Sequence, residues 1–214
     1  MLAVFVLASS FAWAAGRASS APAATEWTAP ELVWQSEGRV EYPVLVTDAH
    51  GQSHLFFADR ADSAAAYSLY HVSIDESGLG EARDVLVGPS AGVRVEPDAW
   101  GRLHVLYHGS NNTLWYASVD GRRAADPHAW SAPMQIGGAT LGVAMCASGG
   151  HDLHACYPRR GDVYHISSVD AGRTWSTEQS VASAEQGRIA GAVACAIDLE
   201  GGIHVAWSEV SPPN

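Results

Sequence analysis

One spacing constrains this chain more than any other feature. Asp98-Ala99-Trp100-Gly101-Arg102-Leu103-His104 shares an Asp-x-x-Gly-x-x-His skeleton with Asp48, Gly51 and His54, 50 residues earlier, and with Asp198, Gly201 and His204, 100 residues later. A fourth copy has Ser148 and His151 in place of Asp and Gly but keeps His154, so histidines fall at 54, 104, 154 and 204. A fixed interval of this length is the mark of repeated units of packed strands. Each skeleton lies between runs of strand composition, such as Tyr42 to Thr47 and His54 to Ala58, or Val193 to Ile197 and His204 to Trp207. Runs of that kind joined by an Asp- and Gly-containing turn read as hairpins. The Asp carboxylate accepts turn amides, and Gly supplies the positive φ.

A third run follows each hairpin, at Tyr67 to Ile74, Thr113 to Val119 and Val163 to Val169. A fourth follows that, at Ala82 to Val87, Trp130 to Ile136 and Trp175 to Val181. Four strands per 50 residues make a blade, so the expected fold is an all-β propeller of four-stranded blades with about three and a half blades present. The expected divisions are blade 1 at 40–89, blade 2 at 90–138, blade 3 at 140–183 and the first half of blade 4 at 190–210. Trp27-Thr-Ala-Pro matches the fourth-strand openings Trp130-Ser-Ala-Pro and Trp175-Ser-Thr-Glu, so 27–36 is expected to be an outer strand that closes the ring onto its last blade. Residues 27–214 then read as an incomplete propeller, a fragment lacking about two blades of a ring of six.

Composition narrows the partners. With 12 basic residues, all Arg, against 23 acidic ones, the net charge is −11, which speaks against nucleic acid. Met1 to Ala14 is an apolar run ending in Ala12-Trp13-Ala14, a small-x-small cleavage pattern, so residues 1–14 are expected to be a signal peptide, 15–26 a flexible lead-in, and the protein secreted. The run is too short to span a bilayer. Cys146 and Cys156 flank the third turn, with either a disulfide between them and Cys195 left over, or three small apolar core residues, as the expectation. The four periodic histidines sit on second strands of successive blades and should diverge, so no metal site and no cofactor are expected.

Ser168-Val169-Asp170-Ala171-Gly172-Arg173-Thr174-Trp175 fits the pattern Ser-x-Asp-x-Gly-x-Thr-Trp in full, and Ser73-Ile74-Asp75 with Gly78, and Ser118-Val119-Asp120-Gly121 with Trp130, are degraded forms. This is the Asp-box, and over about residues 27–210 the chain resembles the sialidase-like propellers that carry BNR repeats. The resemblance implies a structural turn for Ser168, Asp170, Gly172, Thr174 and Trp175, away from the functional face. That other face, formed by joins between second and third strands and between blades, holds the ligand-binding candidates Arg39, Glu41, Asp59, Arg60, Arg94 and Arg188. It also carries His108, Asn111, Asn112, Arg159, Arg160, Asp162 and Glu209. The family's first arginine belongs to an Arg-Ile-Pro motif, where this chain reads Glu41-Tyr42-Pro43, with Arg39 two residues earlier. Asp62, after the second strand of blade 1, stands where the family carries its acid/base. Two functions follow: a propeller that binds glycan or a cell-surface glycoprotein without catalysis, or a sialidase-like exo-glycosidase whose site is completed by further blades.

Overall fold

The computed structural model describes residues 2–6, 29–60, 62, 66–88, 91–109, 113–138, 142–159 and 161–211. The lead-in at 15–26, Trp27, Asn111, Asn112 and Arg160 lie outside the described residues, as does the proposed cleavage site. The fold is all-β. Strands β3 (Arg39–Thr47), β4 (Ser53–Arg60), β5 (Ser68–Asp75) and β7 (Arg83–Val87) form the first antiparallel sheet, to which the two-residue β6 (Gly78–Leu79) adds a small extension of β5. The second sheet is β8 (Ala91–Pro97), β9 (Arg102–His108), β10 (Leu114–Asp120) and β11 (Met134–Gly137), in that order. The third is β12 (Ala144–Ala147), β13 (Leu153–Arg159), β14 (Asp162–Ser168) and β15 (Gln179–Ser183). A final hairpin pairs β16 (Ile189–Ile197) with β17 (Ile203–Val210).

The first strands β3, β8, β12 and β16 lie side by side, and the sheets stack face to face behind them. Phe56, Leu69 and Val85 of the first sheet meet Val95, Val105 and Trp130 of the second in one buried cluster. Leu106, Leu114 and Tyr116 on the second sheet's far face meet Met145, Tyr157 and Ile166 of the third. Strand alternation forces this sandwiching, since each sheet has apolar residues on both faces and buries them only between neighbours.

Strand β2 (Glu31–Ser36) pairs with β1 (Leu2–Val6), and Val33 and Trp34 pack on Val40, Leu55 and Phe57, covering the first sheet's outer face. The cysteines are all free. Cys146 lies opposite His154 and Cys156 opposite Ala144, so the two are offset diagonally across β12 and β13. Cys195, on β16, lies beside both thiols.

The turns of the repeat are anchored as the skeleton demands. Asp98 Oδ1 accepts the amides of Trp100 (2.9 Å) and Arg102 (2.8 Å), and Oδ2 lies 3.2 Å from His104 Nε2. Asp48 and Asp198 repeat the arrangement with His54 and His204. Each internal histidine then reaches its third strand: His54 Nδ1 is 2.9 Å from His71 Nε2, His104 Nδ1 is 2.7 Å from Tyr116 Oη, and His154 Nδ1 is 3.0 Å from His165 Nε2. Burial, and then the neighbouring His54, push His71 down to about 3, so that imidazole is neutral at pH 7.

Candidate functional site

Both kinds of turn lie at one end of the sheets. The Gly121 amide donates to Gly101 O (2.8 Å) and the Ala171 amide to His151 O (2.9 Å), tying third-to-fourth-strand turns to first-to-second-strand turns. At the Asp-box, Asp170 Oδ1 accepts the Thr174 amide (2.8 Å) and Oδ2 the Thr174 hydroxyl (2.7 Å), while Ser168 Oγ takes the Gly172 amide (2.9 Å). These bonds from Thr174, then Ser168, hold Asp170 down to about 2. Trp175 packs edge-on against Tyr116 at 5.2 Å, bridging two sheets. Gly172 is required, because a Cβ there would overlap the Tyr116 hydroxyl.

The opposite end opens differently. Where the first strands begin, a cavity of about 380 Å3 is lined by Tyr42, Gly92, Arg94, His108, Gly142, Gly191 and Ala192. Tyr42, Gly92, Gly142 and Ala192 occupy one position in four successive copies, 50 residues apart. Three are small and leave the space; Tyr42 walls one side. Here β3, β8 and β16 each carry a bulge, with register breaking between Glu41 and Val44, Ala91 and Arg94, and Ala190 and Val193. Gly92 takes φ +59° in its bulge, and Tyr42 takes the same left-handed conformation at φ +55° without being glycine. Such backbone strain costs on the order of 1–3 kcal/mol and collects at functional sites.

Arg94 projects into this cavity from β8, with its Nη1 donating only to Val93 O (2.9 Å) among the described residues. His108 is buried beside it. Burial lowers its pKa, a bond to the Gly142 backbone opposes this, and Arg94 lowers it further, so it is neutral at pH 7. Next to Tyr42 lies a second cluster. Arg39 pairs with Glu41 (2.6 Å), the buried Tyr67 hydroxyl donates to Glu41, and the Arg60 guanidinium covers the Tyr67 ring at 4.7 Å. The Tyr42 and Tyr67 rings meet edge-on at 6.4 Å, so the two clusters are continuous. Burial, then the Glu41 bond and charge, raise the Tyr67 pKa.

Of the residues expected on this face, Arg39, Glu41, Arg60 and Arg94 therefore come together. Asp59 does not join them. It points to the other face of the first sheet, where Oδ2 accepts Trp34 Nε1 (2.9 Å), because Asp59 sits opposite Val40 on the side that β2 covers. Arg188 is held at the β16–β17 end by Glu209, 3.6 Å from its carboxylate and 2.8 Å from its carbonyl oxygen. Asp62 is exposed. The residue that sequence reasoning passed over is Tyr67, whose only signal is an aromatic at the head of a third strand. A parallel arrangement occurs in the third sheet, where Tyr157 donates to Glu178 (2.7 Å), Arg159 pairs with Glu178 (2.6 Å), and Arg159 covers Tyr164 at 4.1 Å. No group of three or more metal-ligating side chains converges among the described residues, and no helix there is long and apolar enough to cross a membrane.

No family model matches the chain, and no curated protein matches it in sequence. Solved structures do match in three dimensions. A polysaccharide lyase, the PL25 ulvan lyase bound to -[GlcA(1-4)Rha3S]-, superposes with a TM-score of 0.59 at 14% identity, covering 86% of this chain and 57% of its own. The likeness is one of fold. An exo-beta-1,3-galactanase from Phanerochaete chrysosporium, with beta-1,3-galactotriose, gives a TM-score of 0.52 at 14% identity over 86% of this chain and 51% of that one. This chain thus spans little more than half the length of the structures it matches. The shared feature is an all-β, propeller-like stacking of four-stranded antiparallel sheets.

Proposed function

We propose that this chain is part of a secreted propeller of the sialidase superfamily that binds a glycan, without catalysis, in the axial cavity walled by Tyr42 and entered by Arg94. The carrying observation is the convergence of four repeat positions on one cavity, where three small residues leave space and one strained tyrosine shapes it. Arg94 supports the reading because it enters that cavity with no carboxylate partner among the described residues, free to fork onto a sugar's oxygens. Pockets of this kind, mostly apolar with few convergent polar groups, are where ligands bind in such scaffolds. The fold neighbours are named as glycan-processing proteins, which fits a glycan ligand. A glycan array on the full-length exported protein, followed by calorimetry on Arg94→Gln, tests the reading. Binding weakened at least about tenfold by that change is expected, one charge-assisted contact being worth about 1.5–3 kcal/mol. Unchanged affinity, or no glycan bound, overturns it.

A second reading, a sialidase-like exo-glycosidase with Asp62 as acid/base, is favoured by the Tyr67–Glu41 pair between Arg39 and Arg60, a tyrosine beside a carboxylate that can take its proton. Two features weigh against it. Glu41 already neutralises Arg39, and the Tyr157–Glu178–Arg159 group repeats the pattern inside the third sheet, as a packing device. Turnover of a fluorogenic sialoside, abolished by both Asp62→Ala and Tyr67→Phe, would replace the binding-only reading with this one.

A further inference from the structure

We propose that the cleft between the second and third sheets, at the Asp-box end and remote from the axial cavity, is a second binding site. Its ligand is an acidic saccharide, gripped by Arg102 and Arg173 and packed against Trp100. Two cavities open on either side of these arginines. One, of about 430 Å3, is lined by Arg102, Tyr116, Ser131 and Arg173. The other, of about 330 Å3, is lined by Trp100, Arg102, Arg122, His151 and Arg173. In a chain of net charge −11 with only 12 basic residues, this cleft is lined by three arginines against two aspartates, Asp98 and Asp120, and so is locally net positive.

The acids beside them are already engaged. Asp98 is taken by two turn amides and His104, and Asp120 is held by Arg122 through two bonds of 3.0 and 2.8 Å. Arg102 makes one long bond, 3.2 Å, to Ser118 Oγ. The exposed Arg173 has no carboxylate partner among the described residues. Two guanidinium groups are therefore left to face an incoming anion, and their planar forks suit the oxygens of a carboxylate or a sulfate.

Trp100 gives the site its saccharide character. It is 52% exposed, with one ring face stacked on His151 at 4.3 Å and 16°. The turn does not need a tryptophan there, since the other copies carry His50, Gly150 and Glu200 at that position. An indole stacked on an imidazole and half exposed is a platform for the C–H face of a sugar ring, where dispersion and apolar contact add to the ionic grip.

The test uses the intact protein and three probes: a tetragalacturonate, a sulfated carrageenan tetrasaccharide and neutral cellotetraose, read by tryptophan fluorescence and calorimetry. The two charged probes differ in the source of the anion, and the tighter of them identifies it as carboxylate or sulfate. Binding of a charged probe, falling at least about tenfold in Arg173→Gln and in Trp100→Ala, is the expected result. Both altered side chains are exposed, and unchanged circular dichroism and melting temperature establish that the variants fold. Equal binding of cellotetraose, wild-type affinity in Arg173→Gln, or a loss that follows Arg94→Gln instead would overturn the proposal. Tight binding of an oligoglutamate that Trp100→Ala leaves intact would overturn its saccharide part. Since Arg94 serves the axial cavity and Arg173 this cleft, failure of either assignment is read separately.

Discussion

Replacing the same aspartate in two copies of the repeat separates what burial contributes from what bond length contributes. In Asp98→Ala the amides of Trp100 and Arg102 and the His104 ring all lose their acceptor, in a pair whose side chains are 3% and 0% exposed. Each buried polar group left unsatisfied costs about 1–3 kcal/mol, so the loss should come to about 3–5 kcal/mol, allowing partial hydration of the amides at the turn. Asp198→Ala removes the same three bonds, and its histidine contact is the shorter, 2.8 Å against 3.2 Å. There the side chains of His204 and Asp198 are 70% and 41% exposed, so water replaces the carboxylate and the loss should be well below that of Asp98→Ala. Urea denaturation of both variants, with the m-value checked for constancy, measures the difference. If Asp198→Ala costs as much as Asp98→Ala, or more, desolvation is not what sets the value of this motif.

The imidazole network predicts acid sensitivity. His71 is held near 3 in the fold and about 6.5 when unfolded, so the unfolded chain binds the extra proton, and stability is full above about pH 6.5 and falls toward pH 3. His54, His154 and His165 shift in the same direction, each adding up to about 1.4 kcal/mol per pH unit; a melting temperature that is level from pH 7 to 4 would refute this. Glu96 runs the other way: burial pushes it up to about 7, so its contribution is present below about pH 4.5 and lost as pH rises through 7. Glu96→Gln should therefore stabilise the protein at pH 8 and lose that advantage by pH 4, as thermal melts at the two pH values would report. Gly172→Ala should cost about 2 kcal/mol or more, from its φ of +82° and the collision with Tyr116, whereas Gly51→Ala, at φ +84° with nothing within 4 Å, should cost about 1 kcal/mol; equal losses by denaturation would contradict the contact.

What could be read from the sequence was local. Asp48, Asp98 and Asp198 act on amides two and four residues away, so their turns were legible from spacing, as was the Asp170–Thr174 closure. Relations between sheets were not. Cys195 meets Cys146 and Cys156 only because β16 packs on β12 and β13, and Asp59 turns away from the axial cavity only because Trp34 covers that face. Tyr42 was the hardest to foresee. Preceding Pro43 it should be extended, and nothing in its neighbours announces that it takes the left-handed bulge that Gly92 takes one copy later.

The way each copy's polar network is sealed also bears on how the sheets come together. Gly121 lies over Asp48 and His54, so close that a Cβ there would come within 2.6 Å of the carboxylate, and Gly172 lies in the same way over Tyr116. A sheet is thus capped by the sheet translated after it. Until that later sheet is in place, the His54–His71 pair of the first sheet and the His104–Tyr116 pair of the second stay open to water, so closing one sheet is coupled to placing the next.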